Sequence, residues 1–159
     1  MNNRLKMTNS ELSLMGLFES FTDVFPLACR VVEDNVFYVV DGKDYPKLIM
    51  NISKITDGGL RMNPGRLIKM LAIELSKSIG KKINISFYDG NLENFIRSFF
   101  RLNKNDKVMI KKNNRGEIYV YIITSPDRKG WIIGRGGVKA KIGRELASIF
   151  FGVKSISIK

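Results

Sequence analysis

The chain has 159 residues, 44% of them hydrophobic, with a formal net charge of +12, one cysteine (Cys29) and no histidine. That length holds one ordinary domain or two small ones with real cores. The inventory excludes an internal disulfide framework and argues against a zinc site, a Cys/His nucleophile or a histidine general base. No stretch approaches the roughly 20 uninterrupted apolar residues of a membrane-spanning helix. The segment Met1–Asn9 lacks the apolar core of a signal peptide, and a lone thiol suits a reducing cytoplasm.

Taken in order, Thr8-Asn9-Ser10-Glu11 has the form of a capping box and opens a helix through about Phe21, with Leu14, Leu17, Phe18 and Phe21 as its buried stripe. Two short strands follow, Ala28–Val32 and Val36–Val40, around the turn Glu33-Asp34-Asn35, and Asp41-Gly42 closes the second. Tyr45–Ile55 is ambiguous and has room for a short helix. Asp57-Gly58-Gly59 reads as a loop, and Asn63-Pro64 supplies the N-cap and N1 residues of a helix over Arg66–Ile79 that ends at Gly80. Ile83, Ile85 and Phe87 alternate as in a strand, and Asp89-Gly90 marks a turn and the expected domain boundary.

The second half repeats this order at a period of roughly 70–80 residues. Asn91 caps a helix carrying Leu92, Phe95, Ile96 and Phe99 on one face. Strands over Lys107–Lys111 and Ile118–Thr124 flank the turn Asn113-Asn114-Arg115-Gly116. A short apolar helix with Trp131, Ile132 and Ile133 then enters Gly134-Arg135-Gly136-Gly137. Val138, Ile142, Leu146, Ile149 and Phe150 recur at helical spacing until Gly152, and Ile156 and Ile158 alternate in a last strand. Phe95, Phe99, Phe100, Phe150 and Phe151 are expected in the core, as is Cys29.

Three glycines in four residues let the backbone approach another molecule closely. A helix N-terminus flanked by Arg135, Lys139, Lys141 and Arg144 favours an anion such as phosphate. Two nucleotide-cofactor readings fail on spacing. The dinucleotide fingerprint needs a glycine where Lys139 stands, and a P-loop starting at Gly130 meets Arg135 where it needs glycine. The plain alternative is a tight helix–helix turn with solvated charges. Charge distribution bears on that choice. Residues 1–90 carry 12 Lys+Arg against 10 Asp+Glu, a balance of +2, and residues 91–159 carry 15 against 5, a balance of +10. Such asymmetry is the footprint of a nucleic-acid surface. An anionic membrane is the rival partner, but no basic amphipathic helix with exposed aromatics stands out.

Ile-Gly-Arg-Gly-Gly between two helices resembles the Gly-x-x-Gly loop of a KH domain, a module that binds RNA and single-stranded DNA. The order helix–strand–strand–helix–loop–helix–strand, found twice, is that of type II KH modules. Leu17-Phe18-Glu19, the run Cys29–Val40, Gly80-Lys81-Lys82-Ile83, Glu93-Asn94-Phe95-Ile96 and Asp127-Arg128-Lys129-Gly130 are similar to the short archaeal-type NusA-like proteins, over roughly Met7–Lys159. The resemblance implies an α+β chain of two tandem type II KH modules, 1–89 and 90–159, each a three-stranded sheet packed against helices. It implies a non-enzymatic, cofactor-free binder of single-stranded RNA in transcription termination or antitermination, with RNA polymerase or the transcription complex as further partner. The polymerase-binding and S1 domains of longer bacterial relatives have no room here. The alternative is a KH protein of ribosome assembly or translation.

The chain departs from the family pattern in two places. Where the first module should carry its glycine loop, after Lys47-Leu48-Ile49, it has Met50-Asn51-Ile52-Ser53, followed by an insertion around Lys54–Gly65. Side chains at Met50 and Ile52 are expected to block close approach and leave the first module a scaffold, unless Gly58-Gly59 and Gly65-Arg66 form a substitute. Trp131 stands where a smaller aliphatic residue is usual, either packed into the module or offering a ring for base stacking. In the second module Gly134, Gly136 and Gly137 are expected to give backbone approach and Arg135 to meet phosphate. Lys129, Lys139, Lys141 and Arg144 are expected to steer the RNA backbone, with Lys141–Glu145 as an ordinary surface pair the other reading. Ile133, Val138 and Ile142 line either the groove or the core.

Overall fold

The computed structural model describes residues 6–56 and 62–159. Local chemistry sets the first helix. Thr8 Oγ1 accepts the Glu11 amide at 3.1 Å and Glu11 Oε1 accepts the Thr8 amide at 3.0 Å, so α1 (Asn9–Thr22) opens on a capping box. The same carboxylate is buried, takes an ion pair from Arg30 at 3.1 Å and accepts the Val31 amide at 2.8 Å, which fastens α1 to β1 (Ala28–Val32). β1 runs antiparallel to β2 (Asn35–Asp41), with Val31 opposite Val36. A 3-10 turn over Gly42–Asp44 leads into α2 (Tyr45–Lys54), which resolves the ambiguous stretch as helix. α3 (Pro64–Ile79) starts where Asn63 Oδ1 accepts the Gly65 amide at 2.8 Å and stops at Gly80 in the left-handed region. β3 (Lys82–Tyr88) then returns parallel to β2, pairing Ile83 with Val36 and Ile85 with Tyr38.

Those pairs form one face of a three-stranded mixed sheet. Met15 and Phe18 of α1, Leu48 and Ile52 of α2, and Leu67, Leu71 and Leu75 of α3 pack on it with Cys29. Cys29 is a buried small hydrophobe, as expected, and burial, with Glu11 beside it, pushes its thiol up to about 12 against the opposing pull of Arg30.

The second compact unit, Gly90–Lys159, follows the first, Lys6–Asp89. α4 (Leu92–Phe100) is capped by Asn91, whose Oδ1 accepts the Asn94 amide at 2.9 Å. β4 (Lys107–Lys112) and β5 (Ile118–Ile123) pair antiparallel, with α5 (Pro126–Ile133) after them. α6 (Val138–Phe151) ends at Gly152, whose φ of 70° makes it the expected C-cap. β6 (Val153–Ile158) lies parallel to β5, past an irregularity between Ile118 and Tyr119. The fold is therefore α+β, with two three-stranded mixed sheets packed against helices in the same element order. Among the described residues no helix is long and apolar enough to cross a membrane.

Val120, Ile122, Val153 and Ile156 give the buried face of the second sheet, against Ile96 of α4 and Ile142 and Leu146 of α6. Phe95, Phe99 and Phe100 are buried, whereas Phe150 and Phe151 are only half-buried. They form the rim of that core, with centroids 6.0 and 5.7 Å from Phe95. The close approach of α4 to α6 depends on Gly143. A Cβ there would lie 2.5 Å from Phe100 Cζ and 2.9 Å from Phe99 Cε1, closer than real methyl contacts allow. Gly143→Ala should gain about 1 kcal/mol of helix propensity and lose about 1–3 kcal/mol to overpacking. A lowered urea midpoint is expected, and a raised one would show that the phenyl rings can move aside.

Candidate nucleic-acid interface

The loop between α5 and α6 is held by two backbone bonds: the Gly134 amide donates to Gly130 O at 3.0 Å and the Gly137 amide to Gly134 O at 3.0 Å. Gly134 has φ 84° and ψ 162°, a combination open in practice to glycine alone. Its missing Cβ also makes room, since a methyl there would sit 2.8 Å from Lys139 Cβ. Gly136 and Gly137 differ from it. Their φ values of 65° and 73° are left-handed, but a Cβ on either would meet nothing within 4 Å. Torsion selects glycine at these two positions, and the space over them is open to an incoming molecule.

Arg135 and Gly136 are exposed. α6 begins at Val138 with no side-chain cap and no acidic residue in its first turn. The Val138 amide donates to Arg135 O, and the positive end of the helix dipole faces the loop without a competing carboxylate. Lys129 on α5 and Lys141 on α6 are exposed. Lys139 is drawn inward, with Nζ 4.2 Å from the Trp131 ring centroid and 3.4 Å from Phe100 O. Arg144 is exposed but donates through Nε to Ile156 O at 2.9 Å, which ties its stem to β6. Val138 and Ile142 are buried, so their side chains belong to the core, and Ile133 is half-buried beside the loop.

One expectation needs correction, and two open readings are narrowed. Trp131 is half exposed, at 50%, with Arg128 and Lys139 against its ring. Met50-Asn51-Ile52-Ser53 is not a loop but lies within the C-terminal part of α2, with Ile52 buried at 1% exposure and Asn51 Nδ2 donating to Thr22 O at 2.7 Å. Ile52 is therefore a core residue and obstructs no ligand. Gly65-Arg66 lies in the first turn of α3, where the Asn63 cap uses its backbone, and Gly58-Gly59 lies outside the described residues.

The sequence carried no sign of the residue that anchors the entry to α5. Asp106, between α4 and β4, is buried at 2% exposure. It accepts Thr124 Oγ1 at 2.6 Å, the Asn103 amide at 2.9 Å, and Arg128 Nε and Nη2 at 3.3 and 2.8 Å. Its partners stand up to 22 residues away, so no local spacing marks it. Burial alone would raise this carboxyl, but the bonds from Arg128, Thr124 and Asn103 outweigh it and hold the group at about 2, below its ordinary 3.8.

A depressed carboxyl stabilises the fold above its unfolded value, and that contribution disappears as pH falls through the folded one. Asp106→Asn should cost about 2–3 kcal/mol near neutral pH. Its deficit against the parent should shrink as pH drops from about 4 towards 2. Urea midpoints taken across that window decide it, and a deficit that ignores pH would contradict the charge-based role.

No family model matches the chain. A probable transcription termination protein NusA of Thermoplasma acidophilum is 26% identical over 158 residues, covering 99% of this chain and 97% of the relative. A protein of the same name from Methanococcus vannielii is 23% identical over 159 residues, covering 98% and 80%. Among solved structures, the crystal structure of APE1850 superimposes with a TM-score of 0.60 and 29% identity, covering 96% of this chain and all of that one. The two archaeal relatives, matched over nearly the whole chain, support reading it as an archaeal NusA-like protein.

Proposed function

We propose that the chain is a non-enzymatic transcription termination or antitermination factor of the cytoplasm. In this reading it is built of two type II KH modules, 1–89 and 90–159, and grips single-stranded RNA at Gly134–Gly137. The observation that carries the reading is the loop itself: two left-handed glycines with open space above them, an exposed Arg135 between glycines, and an uncapped helix start behind. Such a surface accepts a phosphate on backbone amides and offers no side chain to repel it. The +10 balance of residues 91–159 supplies long-range attraction for a polyanion. The names of the archaeal relatives favour transcription over ribosome assembly or translation. RNA polymerase or its transcription complex is then the further partner.

Roles follow from position. Gly134 shapes the loop, Gly136 and Gly137 admit the phosphate, and Arg135 pairs with it. Lys129 and Lys141 steer the backbone from either side. Lys139 and Arg144 have contacts inside the unit and contribute mainly through their field. The first module, near neutral and with α2 running through the position of a glycine loop, serves as scaffold.

Arg135→Asp with Gly136→Asp places two carboxylates over the loop. Aspartate tolerates the left-handed region at about 1 kcal/mol, so the unit should still fold. Met50→Asp with Lys54→Asp makes the same charge change at exposed positions of α2. Anisotropy of a labelled single-stranded RNA should show at least a tenfold loss for the first pair and little for the second. Parent affinity should fall with salt at a log–log slope near −2, for about three phosphates neutralised. A first-module pair that loses binding while the loop pair keeps it would overturn the assignment.

A further inference from the structure

Trp131 is the chain's only tryptophan, and half of its surface is open to solvent one turn before Gly134. An exposed ring of this size forgoes part of the stabilisation that burial would give it. What surrounds the ring is cationic. Lys139 Nζ lies 4.2 Å and Arg128 Cζ 5.1 Å from its centroid. Arg128 is itself fixed by two bonds to the buried Asp106, which Thr124 and Asn103 hold in turn. The indole is thus flanked by an anchored guanidinium and an ammonium. Half of the Trp131 surface stays open to solvent with positive charge beside it.

We infer that Trp131 is a base-stacking platform for the nucleotide next to the one gripped at the glycine loop, with purines favoured over pyrimidines. The inference rests on the RNA-binding reading and goes beyond it. The loop, Arg135 and the lysines recognise only sugar-phosphate, which every nucleotide carries. An exposed indole adds a surface that recognises the base, and bases stack on it in proportion to their aromatic area. An acidic peptide would use the cations and leave the ring unused, whereas a nucleotide uses both. Lys139, held over the indole, adds positive field beside the phosphate that links the stacked base to the loop.

Because the chain has one tryptophan, its emission reports this site alone. A labelled short oligoadenylate and an abasic phosphodiester oligomer of the same length are titrated, reading label anisotropy and indole emission together. Oligoadenylate should quench the indole over the range in which anisotropy rises, oligouridylate should quench less, and the abasic oligomer should bind without quenching. Trp131→Ala should weaken oligoadenylate roughly five- to a hundredfold and leave abasic binding unchanged, and Trp131→Phe should retain most of the affinity. Rising anisotropy with unaltered emission would overturn the inference while leaving the RNA reading intact. An equal loss for both oligomers in Trp131→Ala would assign the ring a structural role and overturn it as well. Flat anisotropy for the parent protein would remove the RNA reading and the inference together.

Discussion

The second unit depends on the reversal of the chain at Gly134. α5 and α6 meet there at a distance that leaves no room for a methyl group against Lys139, in a torsion that other residues do not adopt. Given that one close contact, the next three residues are forced out of the packed layer. They continue as a tight turn whose outer surface is backbone, with Arg135 as its one long side chain. Val138 then drops back into the core and starts a helix that Gly143 presses against the phenyl rings of α4. Glycine is thus used in three physically different ways within ten residues: to pass a helix, to turn left-handed in open space, and to let a helix pack.

Electrostatics divides the two units as sharply as geometry. In the first, the buried carboxylate of Glu11 is spent on internal structure, capping α1 and holding Arg30 and β1. In the second, Asp106 does a related job for the entry to α5, but its partner Arg128 stands against an exposed indole and next to the loop. Internal charge in the first unit stabilises a core. In the second it also orients a surface. Related element orders thus place buried charge in a core in one case and beside a candidate contact surface in the other.

Much of this was legible in the sequence because it is written in local signals. The capping box at Thr8–Glu11, the Asn63-Pro64 helix start and the glycine stops at Gly80 and Gly152 are short-range chemistry, and each falls where its spacing indicates. The loop glycines were visible for the same reason. Met50–Ser53 was misread because the position of a loop was carried over by resemblance, while local propensity continues the helix and buries Ile52. Asp106, Gly143 and the exposure of Trp131 were invisible or open for another reason. Asp106 and Gly143 are decided by partners brought close by the packing of α4, β5, α5 and α6, and Trp131 by how α5 and α6 meet.

Single-stranded RNA held at the glycine loop of the second unit can be observed through amide chemical shifts of isotopically labelled protein, followed while a short single-stranded RNA is added. The largest perturbations should fall on Gly134–Val138 and on the Trp131 indole N–H, with α2 and α3 of the first unit nearly still. Perturbations centred on those first-unit helices, with Gly134–Val138 unmoved at saturation, would contradict binding at that loop.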